Sequence, residues 1–274
     1  NDETLLGQMA SIAGREQDDT LTVQAVETLL EIGKRSRELI LQLANAYCRL
    51  NVTEDKAEPI YREALQHQPD HATIQDQLAE ISLRHARTDP EATRVYEAVI
   101  ERDPNRIDIG MQLILCYQQA ELPAKAMELG AKLLKLEPDN AELMKLLASA
   151  SEKADQMDSA IQSYEQVLAE HPEDRESICN LSRLYGRKRA SDNKAIDIFN
   201  RAIQFEPQQP DHYISSARAY ALRGSSDHCV QIVKSMLTTN PNASGRAIEL
   251  MEELIQQHPK ELPLRLYLID MQIF

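Results

Sequence analysis

Residues 89–105 read DPEATRVYEAVIERDPN. Within this stretch Ala92, Tyr96 and Ile100 stand four apart, so they form one stripe along a helix, small, then aromatic, then aliphatic. Pro104 biases the residue before it away from helical geometry and ends the helix. The same arrangement returns along the chain. Prolines stand in near-constant register at Pro69, Pro104, Pro138, Pro172, Pro207 and Pro241. Four residues before each is Leu65, Ile100, Leu134, Leu168, Ile203 or Leu237. Twelve before is Ala57, Ala92, Ala126, Ala160, Ala195 or Cys229. Eight before is Tyr61, Tyr96, Tyr164 or Phe199, with Gly130 and Val233 as exceptions.

A second apolar pattern fills the other half of each period. It runs LANAY (43–47), LAEIS (78–82), LILCY (113–117), LASAS (147–151) and LSRLY (181–185), and departs at SARAY (216–220), where Ser216 replaces the leucine. Small residues in both patterns let two antiparallel helices cross closely, so the period is a helical hairpin. Asp70, Asn105, Asp139 and Asn242 directly follow their prolines and are expected to cap the next helix.

Composition agrees with a helical chain: 274 residues, 42% apolar, 4% aromatic, eight glycines and no tryptophan. The formal net charge of −14 repels phosphate backbones and anionic lipid, which argues against nucleic acid as a partner. Neither an apolar run long enough to span a membrane nor a signal peptide is visible. Cys48, Cys116, Cys179 and Cys229 lie far apart along the chain and match no metal motif; they read as small buried hydrophobes in a reducing, cytoplasmic setting. His67, His71, His171 and His258 sit beside prolines and read as solvated turn residues. No phosphate-binding loop, metalloprotease helix or nucleophile elbow is present, so neither a catalytic residue nor a cofactor is expected.

Leu-small-x-x-Tyr in one helix, Ala, aromatic and aliphatic in the next, and a closing Pro in every period resemble the tetratricopeptide repeat family. The resemblance implies an all-α, right-handed superhelical solenoid of antiparallel helix hairpins. Six repeats are expected at 37–71, 72–106, 107–140, 141–174, 175–209 and 210–243, the three longer ones carrying their extra residue in the hairpin turns NVTEDK, RTDPE and RASDN. Residues 1–36 read as a degenerate earlier hairpin, with Leu6 and Gly7 of LGQMA in the expected columns and a polar turn, REQDD, after it. Residues 244–274 read as irregular partial repeats, because Pro259 follows Pro241 after only about half a period. Ala247, Met251, Leu254 and Ile255 fall in second-helix columns. Either a lone helix packs there, or about sixteen residues carrying a first helix are missing near 243–246; the regular helix after Pro259 favours the second.

The family places its first helices along a concave binding groove. Position six of each repeat reads Gln42, Gln77, Gln112, Leu146, Asn180 and Ser215, a ladder of amides able to pair with the main chain of a peptide. The same polarity is expected on any solvated helix. Lys145, Arg183 and Arg218 are the basic groove residues. Position two is acidic in five of six repeats, Glu38, Asp108, Glu142, Glu176 and Asp211, which suits a basic peptide and equally suits the positive end of a helix dipole. The family's clamp for a chaperone tail maps onto Lys145, Ser149, Asn180, Asp211 and Ser215; two of the five match, and Asp211 would repel the carboxylate. The expectation is a scaffold holding a peptide or helix of another protein in the groove. Alternatives are self-association, through residues such as Leu268 and Phe274, and RNA binding, supported locally by the basic run at Arg187–Arg189.

Overall fold

The computed structural model describes residues 2–273. The chain divides into two compact units at Asp139 and Asn140. Among the described residues both are built from helices without a strand.

The first unit holds α1 (Asp2–Glu16), α2 (Asp19–Glu31), α3 (Arg37–Arg49), α4 (Glu58–His67), α5 (Ala72–Arg84), α6 (Pro90–Arg102), α7 (Ile107–Gln119) and α8 (Pro123–Leu134), with a 3-10 turn at Asp55–Ala57 before α4. Consecutive helices pack on one another, and α5 also touches α3 and α7, so the odd-numbered helices share one side. Ala44, Ala57, Ala79 and Ala92 are fully or almost fully buried, as the close-crossing argument requires, and Tyr61 and Tyr96 fill the space between hairpins. The buried partners beside those rings are Ala64 and Val99, five residues before the proline; Leu65 and Ile100, four before, are half-buried. The Tyr61 hydroxyl donates to the Val52 carbonyl at 2.8 Å and the Tyr96 hydroxyl to the Arg87 carbonyl at 3.4 Å, tying each second helix to its own hairpin turn.

The hairpin turns share one geometry. Gln17, Asn51, Ala86 and Glu121 follow α1, α3, α5 and α7 with φ between +47° and +57°. The next amide then reaches back to the helix, as in Arg87 N–H to the Ser82 carbonyl at 2.9 Å. The turn after α1 is shorter than expected, because Arg15 and Glu16 finish that helix and Asp18 already caps α2. In α1 the fully buried residues are Ala10 and Ala13, whereas Leu6 is half-buried and Gly7 exposed; the contact register lies three residues beyond the LGQMA reading.

The second unit holds α9 (Ala141–Lys153), α10 (Met157–Glu170), α11 (Arg175–Arg187), α12 (Asn193–Phe205), α13 (Pro210–Leu222), α14 (Ser226–Thr239), α15 (Ser244–Gln257) and α16 (Leu262–Ile273), with a 3-10 turn at Pro241–Ala243. The missing-helix expectation fails here. α15 begins at Ser244, one full period after Pro210 opens α13, where the next first helix is due, and it packs against α13, α14 and α16. Ala247, Leu250, Met251 and Leu254 are its buried residues, spaced like the buried face of a first helix. Pro259 therefore lies in the loop of a last hairpin, and the turn before α15 is closed by Ala243 N–H to the Asn240 carbonyl at 3.0 Å.

The helix caps also differ from the sequence expectation. Pro and the Asx after it occupy the middle of a turn that closes from residue four to residue one, as in His71 N–H to the Gln68 carbonyl at 3.3 Å. The cap is the residue after the Asx. His71 Nδ1 accepts from Ile74 N–H at 3.4 Å, and Asn140 Oδ1 accepts from Leu143 N–H at 3.0 Å. Asp70, Asn105, Asp139 and Asn242 thus shape turns rather than capping helices. Five residues link α5 to α6 and α11 to α12, against three between α7 and α8, α9 and α10, and α13 and α14.

Ion pairs between the second helix of one hairpin and the second helix of the next, or the 3-10 turn that leads into it, form a column. Glu27 meets Lys56 at 3.3 Å, Arg62 meets Glu91, Glu97 meets Lys125 at 3.5 Å and, in the second unit, Glu165 meets Lys194 at 2.9 Å. At Glu27, Glu97 and Glu165 a tyrosine hydroxyl from the intervening first helix, Tyr47, Tyr117 or Tyr185, donates to the same carboxylate. Where Arg62 takes the acid's place, the residue on α5 is Ser82.

Candidate protein-interaction faces

In the first unit, position six of α3, α5 and α7 points toward the preceding hairpin. Gln77 Nε2 donates to Asn51 Oδ1 at 3.0 Å, and Gln112, buried, donates through Nε2 to the Arg87 carbonyl at 3.0 Å. Gln42 is half-buried and lines a small hollow with Gly14, Arg15, Asn45 and Arg49. The amides brace one hairpin against the next, each through one Nε2 N–H, and Gln77 Oε1 is buried without a hydrogen-bond partner. Around them the face carries half-buried Leu41 and Met111, exposed Leu115, and the acids Glu38, Asp76, Glu80 and Asp108. Glu38 sits in the first turn of α3, where backbone N–H groups and the Ser36 hydroxyl lower its pKa. Asp108 is likewise lowered, first by Arg106, which also pairs with Glu80 at 2.7 Å. The helix-terminus role of the acidic column is thus visible, while Asp76 and Glu80 add acid from mid-helix.

In the second unit, Lys145 is nearly buried among carboxylates, 2.7 Å from Glu142, 3.0 Å from Glu176 and 3.6 Å from Asp174. Burial works against its charge, but the bonds to Glu142 and Glu176 outweigh that and raise its pKa. Asn180 donates to the Tyr164 hydroxyl at 2.9 Å and accepts from Arg183, whose remaining surface is exposed. Ser215 is half-buried against Gly186, where a Cβ would collide with its hydroxyl. Arg218 pairs with Glu253 of α15 at 2.8 Å, and Arg189 reaches the same carboxylate at 3.0 Å. Of the three basic residues expected to meet a ligand, Lys145 and Arg218 are engaged internally. The basic run is neutralised as well: Arg187 pairs with Asp155, Lys188 with Asp158 and Arg189 with Glu253. That removes the local support for RNA.

Leu268 is half-buried against the core formed by α13, α14 and α15, and Phe274 lies outside the described residues. Among the described side chains of α16 the exposed large apolar residues are instead Leu262, Leu266 and Ile269.

One cluster escaped the sequence reading. Cys179 of α11, Glu206 at the end of α12 and His212 in the first turn of α13 bring their donor atoms within 4.8 Å of one another. His212 Nε2 is 3.1 Å from Glu206 and its Nδ1 is 2.8 Å from Ser182 Oγ. The His212 contact, chiefly, holds the Glu206 carboxyl below its ordinary pKa, while burial pushes the Cys179 thiol up to about 11. The available signal was positional. The third residue of α5, α7 and α9 is Ile74, Ile109 or Leu143, all fully buried, and α13 puts a histidine there.

Comparison with known proteins supports the architecture. The profile of the tetratricopeptide repeat matches residues 143–176, the α9–α10 hairpin with the start of α11. The chain carries a tetratricopeptide repeat there. Its array resembles the crystal structure of MamA protein, with 25% identity, a TM-score of 0.53, and coverage of 64% of this chain and 94% of that one. The C-terminal part of a TPR repeat-containing protein from Cytophaga hutchinsonii shares the fold at 15% identity, with a TM-score of 0.54 over 89% of this chain and 98% of that one. A curated relative, DnaJ homolog subfamily C member 3 of Rattus norvegicus, is 29% identical over 90 residues. That match spans 31% of this chain and 18% of the relative. The array has the architecture of a protein-interaction scaffold. Among the described residues no helix is long and apolar enough to cross a membrane.

Proposed function

We propose that the chain is a protein-interaction scaffold whose first unit takes a basic, partly apolar peptide or helix of another protein across α3, α5 and α7. Charge is the observation that carries this reading. Residues 1–139 hold 25 Asp and Glu against 15 Lys and Arg, a balance of −10, whereas residues 140–274 hold 19 against 15, a balance of −4. Over the first unit the field favours cationic partners and speeds their encounter. Leu41, Met111 and Leu115 supply apolar contact beside Glu38 and beside Asp76, Glu80 and Asp108, which pair with Arg102 or Arg106 and would exchange those partners for a ligand's cations. With one N–H of Gln77 and of Gln112 engaged in bracing, this reading rests on charge and shape ahead of an amide ladder.

The test compares the wild type with a Glu38→Lys, Leu115→Arg double variant, both positions being exposed. Proteins captured from extract are mapped to peptides, and binding is followed by fluorescence anisotropy. The expected ligand alternates Lys or Arg with aliphatic residues, loses at least tenfold in affinity for the variant and weakens with salt. Equal binding by the two proteins refutes the assignment to this face.

A second reading, self-association, draws on the stripe of Leu262, Leu266 and Ile269 along α16. Sedimentation at rising concentration, with Leu266→Glu as the control, separates it from a monomeric receptor.

A further inference from the structure

We propose that Cys179, Glu206 and His212 form a binding site for a zinc-class divalent cation, with the fourth coordination position open to water. Thiolate, imidazole and carboxylate are all zinc ligands, and three protein ligands plus one open position is a recurring zinc arrangement. Zinc bonds of about 2.0–2.3 Å place tetrahedral donor atoms roughly 3.2–3.8 Å apart. His212 Nε2 and Glu206 Oε2 already stand at 3.1 Å, and the most distant pair of the three donors, at no more than 4.8 Å, must close by about 1 Å, a side-chain adjustment.

The surroundings fit that role. Ser182 Oγ lies 2.8 Å from His212 Nδ1; accepting the Nδ1 proton, it fixes the ring with the Nε2 lone pair toward the other two donors, the outer contact that metal-bound histidines make. Cys179 and His212 are buried, so the donors are shielded, while Glu206 is partly exposed and gives the cation a path from solvent. The turn closed by Gln209 N–H to the Glu206 carbonyl at 3.0 Å sets the carboxylate beside the first turn of α13. Thiolate and carboxylate together balance a dication, the thiol proton leaving to solvent as the sulfur–metal bond forms. Arg175 approaches the outer oxygen of Glu206, Oε1, at 3.9 Å from a largely exposed position and can swing away.

Position argues for purpose. The same position holds buried Ile74, Ile109 and Leu143 in α5, α7 and α9 and buried Ser177 in α11; a histidine there gives up apolar burial relative to the first three and requires polar partners in the core. Leucine would fill that space at lower cost if packing were its whole task.

The test uses the whole chain, freed of metal by chelator, and titrates it with Co²⁺. The expected result is one Co²⁺ per chain with a thiolate-to-cobalt charge-transfer band, displaced by Zn²⁺. Cys179→Ser abolishes the band, Glu206→Gln weakens binding at least tenfold, and Cys229→Ser leaves it intact. Zn²⁺ raises the melting temperature of the wild type and leaves that of Glu206→Gln, at a partly exposed position, unchanged. Absence of a charge-transfer band at stoichiometric Co²⁺, or a band that survives Cys179→Ser, overturns the proposal.

Discussion

Ala86 is the most informative single position for the energetics of the hairpin turns. It follows α5 with φ +47°, in the left-handed region, where a Cβ crowds the neighbouring carbonyl. The turn nevertheless needs that conformation, because it lets Arg87 N–H bond the Ser82 carbonyl at 2.9 Å and Ala86 N–H the Leu83 carbonyl at 2.9 Å. Left-handed geometry costs a residue with a Cβ about 1–2 kcal/mol. Glycine removes that strain but gives the unfolded chain more freedom, worth about 0.4–1 kcal/mol in the other direction. The net expectation for Ala86→Gly is a stabilisation of about 0.5–1 kcal/mol. With a urea slope of about 1–3 kcal/mol per molar, the midpoint moves up by roughly 0.2–1 M. Gly224, at the same place after α13 with φ +73°, is the reciprocal case, and Gly224→Ala should lower stability by a similar amount. Urea unfolding followed by circular dichroism measures both. If Ala86→Gly is neutral or destabilising while Gly224→Ala is harmless, strain at this position does not govern the turns.

Gln112→Ala should cost about 0.5–1.5 kcal/mol, since it removes one hydrogen bond to the Arg87 carbonyl, which keeps the Tyr96 hydroxyl as a donor, and hydrogen exchange should rise in the α5–α6 turn before elsewhere. Phe199→Ala, at a fully buried ring, should cost about 3–5 kcal/mol and is checked by the same denaturation series. Acid should weaken the second unit. His212 holds Glu206 below its ordinary pKa, and bonds to Arg218 and to Ser177 do the same for Glu253 and Asp174 against the opposing effect of burial. The unfolded chain therefore takes up protons first, so the stabilisation is complete above about pH 5 and drains away as pH falls through the folded values. Melting temperature against pH should show the loss, with a shallower slope for Glu253→Gln.

What the sequence revealed followed from residues that do one job. Alanine at 57, 92, 126, 160 and 195 is small wherever it sits, and the structure buries each of them at a crossing. Proline ends a helix through its own ring. Residues with several uses were harder to read. Gln77 and Gln112 have the polarity of ligand-binding amides, but their partners lie on another hairpin, at a distance a one-dimensional pattern does not encode. Pro259 reads as a broken period if every proline closes a second helix, whereas here it follows a first helix that lacks the usual tyrosine, with Leu254 in its place. The Cys179, Glu206 and His212 cluster was invisible as a motif, since its members are spread over three helices and become neighbours only once α11, α12 and α13 are stacked.

The ion-pair column along the second helices has a consequence for assembly. Down the first unit its polarity alternates: acid then base at Glu27 and Lys56, base then acid at Arg62 and Glu91, acid then base again at Glu97 and Lys125. Hairpins this alike can dock out of order, a known hazard of repeat chains. Were the hairpin bearing Lys56 skipped, Glu27 would face Glu91; were the one bearing Glu91 skipped, Arg62 would face Lys125. Each pair contributes only about 0.2–1 kcal/mol when correctly matched. Its greater effect is as an address: skipping a single hairpin in the first unit sets like charges against each other, so the order of near-identical parts is written in charge as well as in shape.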